Sequence, residues 1–178
     1  MIVSQVLIGS KEPIKAKSGF SGINKRPQSG PVSLDRWGLE RDAIIDTDNH
    51  GGPTQAVYII GQKDYDYWEK TLARPLKPGT FGENLILTDL STHDVKEGDV
   101  FKIGGIELHV TYPRIPCVTL AERMGDEKFP LQFSKSGHVG IYCSVKTGGK
   151  LLAGAKVEHI RSGTASILDT LPGYRKPD

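Results

Sequence analysis

Glycine and proline punctuate this chain 21 and 11 times in 178 residues, and they break its apolar pattern into pieces of strand length. Glycine weakens the interior of either regular element, and proline removes a backbone donor. The apolar runs left between them are Val3 to Ile8, Ala56 to Ile60, Leu85 to Leu87, Val100 to Ile103, Ile106 to Thr111, Val139 to Val145 and Val157 to Ile160. Many short strands with turn signals between them predict a mainly β protein with a few short helices, arranged as a barrel or sandwich. Gly104-Gly105 has the two-residue length of a tight hairpin turn, which needs the positive φ that glycine tolerates. Helical spacing is confined to Gln62 to Ala73, where Tyr65, Trp68 and Leu72 recur on one face, to Val118 to Met124, and to a start near Ser166 that Pro172 and Gly173 stop. Residues 10–35, rich in Lys, Ser, Gly and Pro, read as a long surface loop.

A chain of this length is expected to form one domain with one hydrophobic core. Basic and acidic residues nearly balance, 23 against 21, and the basic ones are scattered, which argues against stable nucleic-acid binding. The N-terminal residues lack a basic leader followed by a signal-length apolar run, and no segment approaches the roughly 18 apolar residues of a membrane span. A soluble, cytoplasmic protein is expected, without a membrane partner. The two cysteines, Cys117 and Cys143, are expected to be thiols in that setting.

Three constellations carry chemistry. In Pro113-Arg-Ile-Pro116-Cys117, two prolines fix the backbone and hold a thiol three positions from Arg114. A thiolate is both the nucleophilic and the metal-binding form, and a nearby cation favours it. The alternative is a buried thiol that only fills space. In Asp46 to Pro53, His50 precedes Gly51 and Gly52, which let backbone amides approach an anion while the imidazole adds a hydrogen bond or proton. The same residues also suit a polar turn in which Asp48 and Asn49 cap their own backbone. In Pro78-Gly-Thr-Phe81-Gly82-Glu83-Asn84, a carboxylate and an amide stand at the mouth of the strand Leu85 to Leu87, a pairing that fits a heterocycle with mixed donor and acceptor edges, or else caps neighbouring backbone.

The remaining histidines, His93, His109, His138 and His159, read as structural or surface residues, and Cys143 as a buried strand thiol. No Cys-x-x-Cys or His-Glu-x-x-His spacing supports a closed zinc site. One protein thiolate cannot cage a metal alone, but it can complete the coordination of a metal that a cofactor already holds through sulfur.

Taken in order, the loop ending at Asp42, His50-Gly51-Gly52, Gly79-Thr-Phe81-Gly82-Glu83-Asn84, Gly98-Asp99, Pro113-Arg114-Ile-Pro116-Cys117 and Gly137-His-Val-Gly140-Ile-Tyr142 resemble the MOSC domain family, and most closely its stand-alone YiiM-like bacterial branch. The resemblance spans roughly residues 36–160. It implies a MOSC-type β-barrel whose cavity holds the molybdenum cofactor, molybdopterin with its metal, and it assigns Cys117 as the metal ligand. By the same resemblance Arg114, His50 and Asn84 line the pocket and bind the cofactor or substrate, while Gly51, Gly52 and Glu83 shape or support it. Cys117 and His50 are the candidate catalytic residues. The implied activity is reduction of small N-hydroxylated substrates, such as hydroxylaminopurines and amidoximes, with electrons from a separate reductase, because the chain carries no flavin, haem or iron-sulfur motif. Pyridoxal phosphate is not expected.

Departures from the family pattern touch substrate and partner choice. Arg41 stands where many relatives have glycine, the helical C-terminal extension of the bacterial relatives is not expected here, and neither is the N-terminal accessory barrel of the amidoxime-reducing relatives. The competing readings are a sulfur carrier with a persulfide on Cys117, a non-catalytic carrier of the molybdenum cofactor, and a Cys117-His50 hydrolase.

Overall fold

The protein is described here by a computed structural model covering residues 1–15, 19–45 and 51–176. Among these residues the strands are β1 (Val3–Gly9), β2 (Glu12–Pro13), β3 (Phe20–Ser21), β4 (Lys25–Pro27), β5 (Val32–Asp35), β6 (Gly38–Leu39), β7 (Val57–Gly61), β8 (Leu85–Leu87), β9 (Val100–Ile103), β10 (Ile106–Pro113), β11 (Ile141–Thr147), β12 (Gly149–Leu151) and β13 (Glu158–Ile160). The helices are α1 (Gln62–Leu72), α2 (Val118–Met124) and α3 (Phe129–Ser136), with 3-10 turns at Thr92–Asp94 and Ile167–Thr170. The mainly β architecture read from the sequence is present, with three helices.

Eight strands form the principal sheet in the order β13-β9-β10-β11-β7-β8-β1-β4. All its neighbours are antiparallel except β7 and β8, which run parallel and are joined through α1. Every residue of β7 and β8 is buried, as expected of strands covered on both faces. The hairpin at Gly104-Gly105 joins β9 to β10, with Ile103 opposite Ile106 and Gly104 at φ +60°.

The barrel implied by the family resemblance is not present as an unbroken ring of strand ladders; β13 and β4 lie at the two ends of the run. The start of β1 is nevertheless tied to the chain just ahead of β13. Ile2 bridges Lys156, Val3 N–H donates to Ala155 O at 2.9 Å, and Val157 N–H donates to Met1 O at 3.1 Å.

Residues 10–35 depart from the long loop expected of them. The described part of this region forms β2, β3, β4 and β5, and Val32 and Leu34 enter the core. These strands are two to four residues long, too short for a repeating pattern, and β4 and β5 are held by distant partners in β1 and β12. Helix α1 buries Tyr65 and Trp68. Trp68 meets Phe129 and Phe133 of α3 at ring-centroid distances of 5.0 and 5.3 Å, and Phe81 closes the cluster against Phe133 at 5.2 Å. This aromatic block fixes the loop 78–84 that leads into the site.

Candidate functional site

One cavity gathers residues from almost every motif singled out in the sequence. Its walls include Lys25 of β4, Asp42, Gly51, Gln55, Tyr58 of β7, Asn84 ahead of β8, Arg114 and Cys117 after β10, and Tyr142 of β11. Phe20, Ile23, Ile44, Ile45 and Phe81 add apolar surface. The combination of apolar walls with a few convergent polar groups is the usual make-up of a small-molecule site.

Cys117 arrives there because β10 ends at Pro113 and the backbone continues extended, with Cys117 at φ −135° and ψ 178° just before α2. Arg114 N–H donates to Gly140 O at 3.0 Å, which anchors the segment to the start of β11. The Arg114 side chain is buried, only 4% exposed, and its Nη1 donates to Ile115 O. Burial opposes its charge, but Tyr142, Cys117 and Tyr58 hold the guanidinium above its ordinary pKa. A side-chain hydrogen bond links Arg114 to Cys117, and the guanidinium carbon lies 5.9 Å from the Tyr58 ring centroid, at the reach of a cation–π contact. The half-buried thiol and the buried guanidinium therefore share one corner of the cavity. Arg114 Nε, by contrast, is buried without a hydrogen-bond partner, as is Gln55 Oε1. Each such unmade bond costs about 1–3 kcal/mol, a cost that a ligand supplying the partner would remove.

Asn84 lines the cavity with its amide already engaged. Its Oδ1 accepts from Tyr58 N–H at 3.0 Å, and its Nδ2 donates to Asp42 Oδ2 at 2.8 Å and, more weakly, to Leu7 O at 3.4 Å. Asp42 in turn accepts from Lys25 Nζ at 2.5 Å and from Gly9 N–H at 2.7 Å, with both ion-pair side chains nearly buried. The Lys25 and Asp42 charges offset each other, leaving Arg114 as the cation beside the thiol. The expected pocket role of Asn84 thus becomes one of shaping the wall.

Glu83 is fully buried behind that wall. It accepts from the Tyr65 hydroxyl, from Gly79 N–H at 2.6 Å and from Phe81 N–H at 3.2 Å, so it folds the loop rather than facing the cavity. Gly51 lines the cavity at φ +83°, and a Cβ there would stand 2.8 Å from Ile44 Cγ2. Gly82 is constrained likewise, at φ +85° with a Cβ position 2.8 Å from Ile23 Cγ1. Gly52, with φ +79°, is next in the chain but is not part of the wall. His50 lies outside the described residues.

Lys25 and Gln55 carried no signal in the sequence. Lys25 sits in a two-sided polar stretch read as loop, and Gln55 follows the Gly51-Gly52-Pro53 turn without any motif of its own. Cys143 is a strand thiol whose burial pushes its pKa far up, as expected of an inert core cysteine. No cluster of three or more His, Cys, Asp or Glu suited to a metal occurs among the described residues. No helix among them is long and apolar enough to cross a membrane.

A strand-rich frame thus places one thiol beside a buried arginine on the wall of a cavity. The MOSC domain profile matches residues 46–158, and the chain belongs to that family. It is 38% identical over 147 residues to the uncharacterized protein YflK of Bacillus subtilis, covering 83% of this chain and 66% of YflK. It is 32% identical over 141 residues to the protein YiiM of Escherichia coli, covering 78% of this chain and 63% of YiiM. The chain therefore spans about two thirds of the length of these curated relatives. The crystal structure of YiiM from Geobacillus stearothermophilus shares the fold with a TM-score of 0.76 at 24% identity, over 98% of this chain and 93% of that one. Within the family, the chain falls in the YiiM-like branch. The MOSC family is associated with molybdenum cofactor binding.

Proposed function

We propose that this chain is a molybdenum-cofactor-dependent oxidoreductase that reduces small N-hydroxylated compounds with electrons delivered by a separate reductase. The observation that carries this reading is Cys117, a thiol on the cavity wall hydrogen-bonded to a buried arginine whose Nε still needs a partner. Those residues fit the cofactor. A soft thiolate suits molybdenum already held by pterin sulfurs, and a rigid guanidinium fork suits a phosphate or ring acceptor. When bound, the cofactor would supply the two-electron chemistry, in which an N–OH group, two electrons and two protons give the amine and water.

The protein's part is binding and electrostatics. Arg114 keeps positive charge beside the thiol and so favours the thiolate. The Lys25-Asp42-Asn84 chain fixes the opposite wall without adding net charge. Phe20, Phe81 and Tyr142 leave room for a planar, largely apolar substrate. A barrel closed between β1 and the strand system around β13 is part of the same proposal, and the Ile2–Lys156 bridge supports it.

The test is elemental molybdenum and pterin fluorescence on wild type and Cys117→Ser, both made in a host competent for cofactor synthesis. Wild type is expected to hold about one molybdenum per chain and the variant none, with the fold retained because serine is a good residue at the start of a helix. A folded variant that keeps its metal overturns the assignment. Molybdenum absent from both, with cyanide-labile sulfur on wild-type Cys117, would put the sulfur carrier in its place.

A further inference from the structure

Among the described residues, two buried side-chain polar atoms have no hydrogen-bond partner, Gln55 Oε1 and Arg114 Nε, and both residues line the same cavity. Native proteins pair almost all such atoms, so each unpaired one calls for an explanation. Two in one cavity have a common explanation in a ligand that pairs both. Arginine is a donor only, so Arg114 Nε requires an acceptor from that ligand. Gln55 Oε1 requires a donor.

We infer that Gln55 is a specificity-determining residue of this cavity, accepting a hydrogen bond from an N–H group of a planar heterocycle whose ring nitrogen or carbonyl oxygen meets Arg114 Nε. The mixed donor and acceptor edge that the sequence attributes to Asn84 passes to these two residues, because the Asn84 amide is taken up by Tyr58 N–H, Leu7 O and Asp42. A simple anion answers Arg114 but sets its oxygens against Gln55 Oε1, and acceptor against acceptor is repulsive. A lactam or amidine edge answers both. The rings of Tyr58, Tyr142, Phe20 and Phe81 on the surrounding wall suit a flat ligand. The inference rests on the reading of this cavity as a cofactor or substrate site, but not on which metal, if any, the cofactor brings.

The experiment titrates pterin, followed by its own fluorescence, and separately inorganic phosphate, into the full chain made in a host that cannot synthesise the cofactor. Wild type, Gln55→Leu and Gln55→Glu are compared after thermal melts establish that each is folded. Pterin is expected to bind wild type, with Gln55→Leu weaker by about tenfold, the loss of one hydrogen bond, and Gln55→Glu, which keeps an acceptor, within about threefold of wild type. Phosphate, which meets only repulsion at Gln55 Oε1, should bind Gln55→Leu at least as tightly as wild type. Pterin binding indifferent to Gln55→Leu overturns the inference, as does a Gln55→Glu variant as weak as Gln55→Leu, which would mean that the amide donates. Failure of wild type to bind pterin overturns it too. Molybdenum content in the cofactor-competent host reports separately on the proposed activity: pterin binding that depends on Gln55, without molybdenum, keeps this inference and removes that one.

Discussion

Burial and hydrogen bonding pull the Glu83 carboxyl in opposite directions. Three donors, the Tyr65 hydroxyl and the amides of Gly79 and Phe81, favour the charged form, yet burial prevails and raises its pKa above the ordinary carboxylate value. The folded chain then binds this proton more tightly than the unfolded one. Stability from this group is complete below the unfolded pKa and is lost as pH rises through the folded pKa. Glu83→Gln keeps one acceptor oxygen but turns an amide N–H against a donor, costing about 1–3 kcal/mol. Urea unfolding across the range from mildly acid to neutral pH should show that deficit shrinking as pH rises. A deficit that grows with pH would mean that the charged form is the one the loop stabilises. This residue also marks the limit of what the sequence discloses at its own scale. Glu83 and Asn84 were legible as a polar pair at a strand mouth, and Cys117 with Arg114 as a restrained thiol beside a cation. Their destinations were not, because Asn84 is decided by Leu7 and Asp42, 77 and 42 positions away, and Gln55 by an absence of partners that no local pattern encodes.

At the scale of elements, helix α1 shows how far periodicity and capping reach. Its buried face and its N-terminal carboxylate are both local, with Asp64 accepting from Gly61 N–H at 3.2 Å. Its end is a compromise. Ala73 takes φ +50° and ψ +38°, the left-handed conformation in which Cβ meets the carbonyl oxygen, while its N–H and that of Arg74 satisfy the carbonyls of Lys70 and Glu69. Glycine removes that strain, which is worth about 1–2 kcal/mol, at some cost in unfolded-state freedom. Ala73→Gly should therefore stabilise the protein by about 0.5–1 kcal/mol, read as a higher urea midpoint at unchanged m-value; a lower midpoint would refute the strain. Helix α3 escaped the sequence because Pro130 follows its first residue. Proline reads as a breaker, but it is tolerated in a first turn where its missing N–H has no intrahelical partner to lose. The strands of residues 10–35 escaped for a different reason, since a two- or three-residue strand exists only through its partner.

For the whole molecule, the longer strands were legible and their order was not, since the sheet places β1 between β8 and β4 and β7 between β11 and β8. What locks that order on the α1 side is one buried carboxylate. Asp64, fully buried, accepts from Gly61 N–H, from Ser91 Oγ, from Thr92 N–H and Oγ1, and pairs with His138 Nδ1 at 2.7 Å. Thr92 Oγ1 accepts from Gly140 N–H at 2.8 Å, and the His138 ring stacks on Tyr67 at 3.9 Å. One side chain thus joins α1, the 3-10 turn at Thr92–Asp94 and the segment that enters β11, the strand paired with the one that delivers Arg114. Asp64→Ala leaves several buried donors unpaired at once, so it should cost about 3–5 kcal/mol, a fall in Tm on the order of 10 °C for a chain of this size. His138→Ala removes one of those donors and should cost less. The double variant should fall short of the sum of the two, because neighbours in one network are not additive. Since none of these residues lines the cavity, retention of the proposed cofactor well below the melting temperature should match wild type. Additive losses would mean that Asp64 and His138 do not act as one network, and loss of the proposed cofactor at a temperature where the variant is folded would place Asp64 in the site's machinery instead of in the frame that holds it.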